Sequence, residues 1–197
     1  MAIGIEQVKE LRAKTGAGIG DCKKALEQAN GDMEASIKWL RERGQQIADK
    51  KSSRSSDEGL IHAYIHPPGK IGVMVQISSE SDFVAKHEDF KQLCHDVAMH
   101  IAAAAPQYVS SEDVDPAKLV SEKEIFRTQA LSEGKPEKIV EKIIEGRVKK
   151  FYQEVCLLEQ AFVKDPDKTI QQLVTECVAK FGENITIKRF ARWSVGE

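Results

Sequence analysis

Five histidines, four cysteines and one glycine-rich turn are the residues whose chemistry comes first into question in this 197-residue chain. His95 and His100 lie five apart on a predicted helix, whereas two metal ligands on one helical face sit four apart. His62 and His66 fall four apart in a predicted strand, on one side of it but too far from each other to share an ion without a bend. Cys22, Cys94, Cys156 and Cys177 form no C-x-x-C pair and read as small buried hydrophobes rather than a zinc or disulfide framework. Thr15-Gly16-Ala17-Gly18-Ile19-Gly20 is rich in glycine, but it joins two helices and follows no strand, so turn chemistry accounts for it better than a dinucleotide cradle. The chain contains no phosphate-loop, nucleophile-elbow or zincin motif. No catalytic residue, metal ligand set or cofactor is expected.

One feature is left over. Ser81-Asp82-Phe83-Val84 stands where a strand ends and a helix begins, and it admits two readings. In the first, Asp82 caps the helix and Phe83, seven residues before Phe90, turns toward the same core. In the second, the helix start protrudes and the ring is a rigid anchor for a partner's pocket. Periodicity by itself favours the first.

The elements that would position this segment are legible. Ile5, Val8 and Leu11, then Cys22, Ala25 and Leu26, then Met33, Ile37 and Leu40 mark three short helices. Asn30-Gly31 ends the second, Asp32 caps the third, and Gly44 is the expected stop. Residues 1–50 thus form a three-helix module. Residues 51–59 carry no large apolar side chain and read as a linker, leaving 60–197 as the core domain. There, Leu60–His66 and Ile71–Ser78 form a hairpin around Pro67-Pro68-Gly69-Lys70, with Ile71, Val73, Val75 and Ile77 on one face. From Asp82 the period lengthens, and Phe90, Leu93, Cys94, Val97, Ala98 and Ile101 make the stripe of one long helix ended by Pro106. Helices are expected near Glu122–Ser132 and Pro136–Tyr152, and a third capped by Asp167 and running through Lys180. Asn184–Val195 is a strand returning to the hairpin. The fold class is α+β: a three-helix module, then a small antiparallel sheet covered by helices.

Charge narrows the partner. Lys plus Arg number 29 against 31 Asp plus Glu, a balance without the basic excess of a nucleic-acid binder, so a protein partner is expected and no direct nucleic-acid contact. No apolar run spans a membrane and the N-terminus lacks a signal core, which points to a cytoplasmic protein.

Leu11-Arg12-Ala13-Lys14-Thr15-Gly16-Ala17-Gly18 followed by Asp21-Cys22-Lys23-Lys24-Ala25-Leu26 resembles the N-terminal signature of the elongation factor Ts family. Asp82-Phe83-Val84-Ala85-Lys86 resembles its second signature, and Gly59–His66, Met99–Ala103, Leu158-Glu159-Gln160 and Gly182–Ile185 extend the similarity along the chain. The resemblance implies a non-enzymatic exchange factor that binds elongation factor Tu, both GDP-bound and nucleotide-free, and stays until GTP enters. It implies that the N-terminal module is ubiquitin-associated-like and grips the nucleotide-binding domain through Arg12, Ile19 and Gly20, that His66 also touches the partner, and that Asp82 and Phe83, flanked by Ser81 and Val84, intrude beside the magnesium site. Two rival readings remain: a ubiquitin-associated-like adaptor without exchange activity, and a small enzyme using His62, His66 and a carboxylate.

The chain departs from the family pattern in four ways. Gln76, Ser78, Ser79, Glu80 and Ser81 replace the usual residues before the aspartate, keeping only a small hydroxyl next to it. Gly20 stands where a large apolar residue is common, and Ala161 replaces a frequent proline. The core has room for one of the two related halves of longer members, from which a homodimer pairing through its sheets is expected.

Overall fold

A computed structural model describes residues 3–196. Three helices come first: α1 (Ile5–Thr15), α2 (Ile19–Gln28) and α3 (Met33–Lys51). Leu11, Cys22, Ala25 and Leu26 are buried at their centre, with Val8, Met33, Ile37, Trp39 and Leu40 packed around them. Asp32 caps α3 by accepting the Ala35 N–H at 2.7 Å, a contribution of about 1 kcal/mol. Gly44 does not end α3. It is a buried packing residue inside the helix, where a Cβ would stand 3.5 Å from the Ala179 methyl and 3.8 Å from Thr175 Cγ2. Beyond α3, the carbonyls of Ser52 and Arg54 accept from the Asn184 amide at 3.3 and 2.7 Å, and the Ser56 hydroxyl meets that of Thr186 at 3.2 Å.

Strands β1 (Glu58–His66) and β2 (Ile71–Ser79) form the expected hairpin, closed by the Gly69 N–H donating to the His66 carbonyl at 2.7 Å. Val73, Val75 and Ile77 are buried while Met74 is exposed, as period-two alternation requires. The last strand, β5 (Thr186–Ser194), lies beside β2, giving a small antiparallel sheet in the order β1-β2-β5.

The expected long helix is two helices, α4 (Asp82–Lys86) and α5 (Glu88–Ala104), and α5 ends before Pro106 with Ala105 at positive φ. Helices α6 (Pro116–Ser132) and α7 (Glu137–Val155) follow, α6 starting earlier than expected because Asp115 accepts the Ala117 N–H and Pro116 opens the first turn. They enclose Ala130, Val140 and Ile144 and are tied by Arg127 to Glu141 at 2.6 Å and Arg147 to Glu133 at 2.9 Å. Asp167 does not cap a helix. It lies in β4 (Asp165–Thr169), which pairs with β3 (Ala161–Phe162), and α8 (Ile170–Phe181) begins only where the Ile170 N–H reaches the Gln160 carbonyl.

The chain divides into two compact units. One runs to His62 and takes in Val75–His95 and Gln172–Lys188; the expected 51–59 boundary falls inside it. The other comprises Ala63–Met74, Asp96–Gln171 and the residues from Arg189. In this second unit His100 is fully buried between the Val163 N–H, which donates to its Nδ1 at 3.3 Å, and Gln160 Oε1 at 2.9 Å from its Nε2. Because Nδ1 accepts, Nε2 carries the proton, and the ring is neutral with both nitrogens satisfied.

Candidate partner-binding site

Between the end of β2 and the start of α5, the backbone turns twice within a few residues, and each turn has a visible cause. Ser81 is extended (φ −127°, ψ 156°), and its hydroxyl accepts the Val84 N–H at 3.5 Å, so Ser81 rather than Asp82 is the N-cap of α4. The same hydroxyl donates to Glu183 Oε1 at 2.6 Å, and the Ser81 N–H donates to Glu183 Oε2 at 3.0 Å. One residue earlier, Glu80 Oε1 accepts the Asn184 N–H at 2.7 Å and Oε2 lies 3.3 Å from the Arg54 guanidinium. The Asn184 N–H, followed by Arg54, holds the Glu80 carboxyl below its ordinary value.

Helix α4 lasts five residues. His87 leaves the helical region (φ −71°, ψ 138°) after its N–H closes on the Val84 carbonyl, and then starts α5: its Nδ1 accepts the Asp89 N–H at 3.2 Å, while its carbonyl accepts from Phe90 and Lys91. The imidazole and the Phe181 ring form a T-shaped pair with centroids 5.0 Å apart, and Lys180 pairs with Asp89 at 2.5 Å. His87 is therefore a helix start held against the end of α8.

This break takes Phe83 out of the core. An unbroken helix would stack Phe83 over Phe90. With the register reset at His87, Val84 and Ala85 turn inward, Phe90 is fully buried, and Phe83 is 83% exposed. Asp82, half-buried beside it, pairs with Lys86 one turn on at 2.5 Å, and that bond keeps its carboxyl below the ordinary aspartate value. The site thus presents an ionised carboxylate next to an uncovered aromatic ring, on a short helix capped at one end and pinned at the other.

The other expected contacts lie elsewhere. Arg12 is exposed in the last turn of α1, Ile19 opens α2 with its side chain 60% exposed, and among the described residues no group beyond its own helix turn and chain neighbours lies within 4 Å of where a Gly20 Cβ would stand. His66 is exposed at the end of β1 with Nδ1 3.0 Å from the Tyr64 hydroxyl, and it belongs to the second unit. His62 is half-buried against His95, ring centroids 5.5 Å apart, and burial together with His95 lowers its pKa. Among the described residues no group of three or more His, Cys, Asp or Glu could hold a metal ion. All four cysteines are free and buried, and burial pushes the Cys94 and Cys177 thiols up to about 12.

The model of a protein family described as Elongation factor TS matches residues 19–197. The chain is 60% identical over 197 residues to "Elongation factor Ts" of Alkaliphilus oremlandii, covering all of this chain and 91% of the relative. It is 59% identical over 192 residues to that of Acetivibrio thermocellus (98% and 89% covered) and 57% over 195 to that of Moorella thermoacetica (99% and 96%). The chain belongs to the elongation factor Ts family. It is thereby a translation elongation factor, a protein of polypeptide synthesis. These relatives are of nearly its own length, and among the described residues no helix is long and apolar enough to cross a membrane. Two contributors to the site escape sequence reading: Glu183, which bonds Ser81 across 102 positions, and His87, whose role as a second helix start is signalled only by the acids Glu88 and Asp89 that follow it.

Proposed function

We propose that this chain is the guanine-nucleotide exchange factor for elongation factor Tu: it binds Tu·GDP, disturbs the site that holds magnesium and the phosphates, releases GDP, and remains on nucleotide-free Tu until GTP binds. The observation that carries the reading is Phe83, a large apolar ring left 83% exposed while its neighbours Val84 and Ala85 are buried. A surface ring on a five-residue helix fixed at both ends loses little freedom on docking, which is what an anchor requires. A GTPase holds GDP through backbone N–H groups around the phosphates and a magnesium ion, so moving either loosens the product.

The magnitudes are sufficient. A thousandfold weaker hold on GDP corresponds to about 4 kcal/mol, and one buried aromatic anchor is worth about 2 to 4 kcal/mol. Linkage then makes the factor itself bind less tightly once nucleotide returns, which frees it for another round. In this reading the chain forms and breaks no covalent bond. Asp82 adds a negative charge beside the ring where the partner's magnesium is held; Ser81 and Val84 fix the helix, one as cap and one as buried foot.

Residues 1–50 act as the gripping module through Arg12, Ile19 and Gly20, residues 51–59 as the connection and 60–197 as the core, with His66 a further contact. The open space over Gly20 fits a weaker grip there than a large side chain gives. The protein works in the cytoplasm, without direct contact to nucleic acid, and a homodimer through the sheets would supply the second half-core of longer members. Stopped-flow release of labelled GDP from elongation factor Tu tests the reading: acceleration by catalytic amounts of this protein supports it, whereas binding without acceleration leaves the adaptor reading in its place.

A further inference from the structure

We propose that Glu183 is a positioning residue for exchange, fixing the Ser81–Phe83 segment so that the Phe83 ring is presented in one orientation. This rests on the function proposed above. The segment joins the end of β2 to α4, and a helix of five residues has too few internal hydrogen bonds to hold its own axis. Its direction is set from outside, by a carboxylate.

Glu183 takes both polar hydrogens of Ser81, the N–H at 3.0 Å on Oε2 and the O–H at 2.6 Å on Oε1. Hydrogen bonds to an ionised acceptor are about twice as strong as neutral ones, and two parallel bonds fix orientation as well as distance. Occupying the hydroxyl proton leaves its lone pairs for the Val84 N–H, the cap of α4. The carboxylate thus acts on the helix through Ser81. The clamp is reciprocal, since Glu80 in turn accepts the Asn184 N–H at 2.7 Å. Glu183 is itself presented by the end of α8: Gly182 takes a left-handed turn (φ +67°) with its N–H on the Val178 carbonyl, which ends the helix and turns the next residue away. The position before Asp82 thus requires a small hydroxyl that donates and accepts at once, and Ser81 supplies it.

A residue that orients the anchor without touching the partner should affect how fast bound partner loses GDP, and not how much protein is needed to bind it. Glu183→Ala is expected to lower the maximal rate of GDP release roughly tenfold, with the half-saturating concentration changed less than about twofold. Ser81→Ala should behave alike, and Ser81→Thr, which keeps the hydroxyl, should retain the wild-type rate. Glu183→Gln preserves the shape and one acceptor, so it serves where the alanine variant melts early. The decisive comparison is in a Phe83→Ala background, where Glu183→Ala should add no further loss, because the ring it orients is gone. A wild-type maximal rate in Glu183→Gln and Glu183→Ala, or an equal loss with and without Phe83, overturns the proposal while leaving the exchange reading intact. Failure of the wild-type protein to accelerate release brings down both.

Discussion

Removing the Phe83 ring separates exchange from stability. The side chain is 83% exposed, so Phe83→Ala deletes little packing, and the unfolding free energy should change by no more than about 0.5 kcal/mol, a melting shift of about 2 °C or less. On the partner the same ring is expected to be desolvated as an anchor worth about 2 to 4 kcal/mol, which corresponds to a loss of roughly 30- to 1000-fold in accelerated GDP release. Truncating Phe90, fully buried seven residues later, should do the reverse and cost about 3 to 5 kcal/mol of stability. Thermal melts and stopped-flow release of labelled GDP, run on the same Phe83→Ala preparation, read both quantities. An undiminished rate removes Phe83 from the mechanism. A stability loss above about 2 kcal/mol would refute the reasoning at an earlier step, since it would mean that the ring packs inside the protein.

Two glycines should respond oppositely to alanine: at Gly59 (φ +137°) a Cβ would stand 2.2 Å from the Ile77 carbonyl oxygen, so a loss of about 3 kcal/mol or more is expected in urea unfolding. At Gly44 the nearest atoms are 3.5 and 3.8 Å away inside a helix, and Gly44→Ala should hold or gain about 0.5 to 1 kcal/mol. Burial lowers the pKa of His100, so below the ordinary imidazole value near 6.5 the unfolded chain binds the proton that the folded one refuses. Stability from this residue is therefore complete above about pH 6.5 and falls as the pH drops toward the lowered value; His100→Gln should flatten that slope in urea melts, and an unchanged slope would remove His100 as its source. Thiol titration should find all four buried cysteines slow to react in the native protein and fast in denaturant, given that burial raises every one of their pKa values; rapid native labelling of Cys94 or Cys177 would contradict the packing described.

Most of the fold could be read from periodicity because its elements are amphipathic in the ordinary way. Leu11 with Val8 beside it, the alternation Val73, Val75, Ile77 and the run Phe90 to Ile101 each report the face that packing buries, whereas Ile5, at the start of the first stripe, is exposed. The failures share a cause. Gly44 reads as a stop because glycine ends helices, but here it lies buried inside α3, packed toward Ala179 and Thr175 of α8. Asp167 reads as a cap because aspartate caps helices, but the residues around it pair with Ala161-Phe162. In each case a tertiary contact overrode a local preference.

The site was legible in place and not in geometry. Phe83 and Phe90 share a helical phase only if the helix is continuous, and its continuity is ended by His87, which makes its own Nδ1 the cap of α5 and rests on Phe181. Nothing within ten residues of Phe83 announces that contact. Glu183 is further removed still, and only folding brings it to Ser81. Resemblance to the family named Asp82 and Phe83; the physical reason that the ring can leave the core came from the break.

The most direct test of the central claim is thermodynamic. The affinity of elongation factor Tu for labelled GDP is measured with and without saturating amounts of this protein, and the affinity of the protein for Tu is measured with and without saturating GDP. If the protein works by loosening GDP, both ratios are large and equal, because coupling between two ligands on one partner is reciprocal. GDP affinity that is the same in the presence and absence of bound protein would contradict the account, whatever the strength of the binding itself.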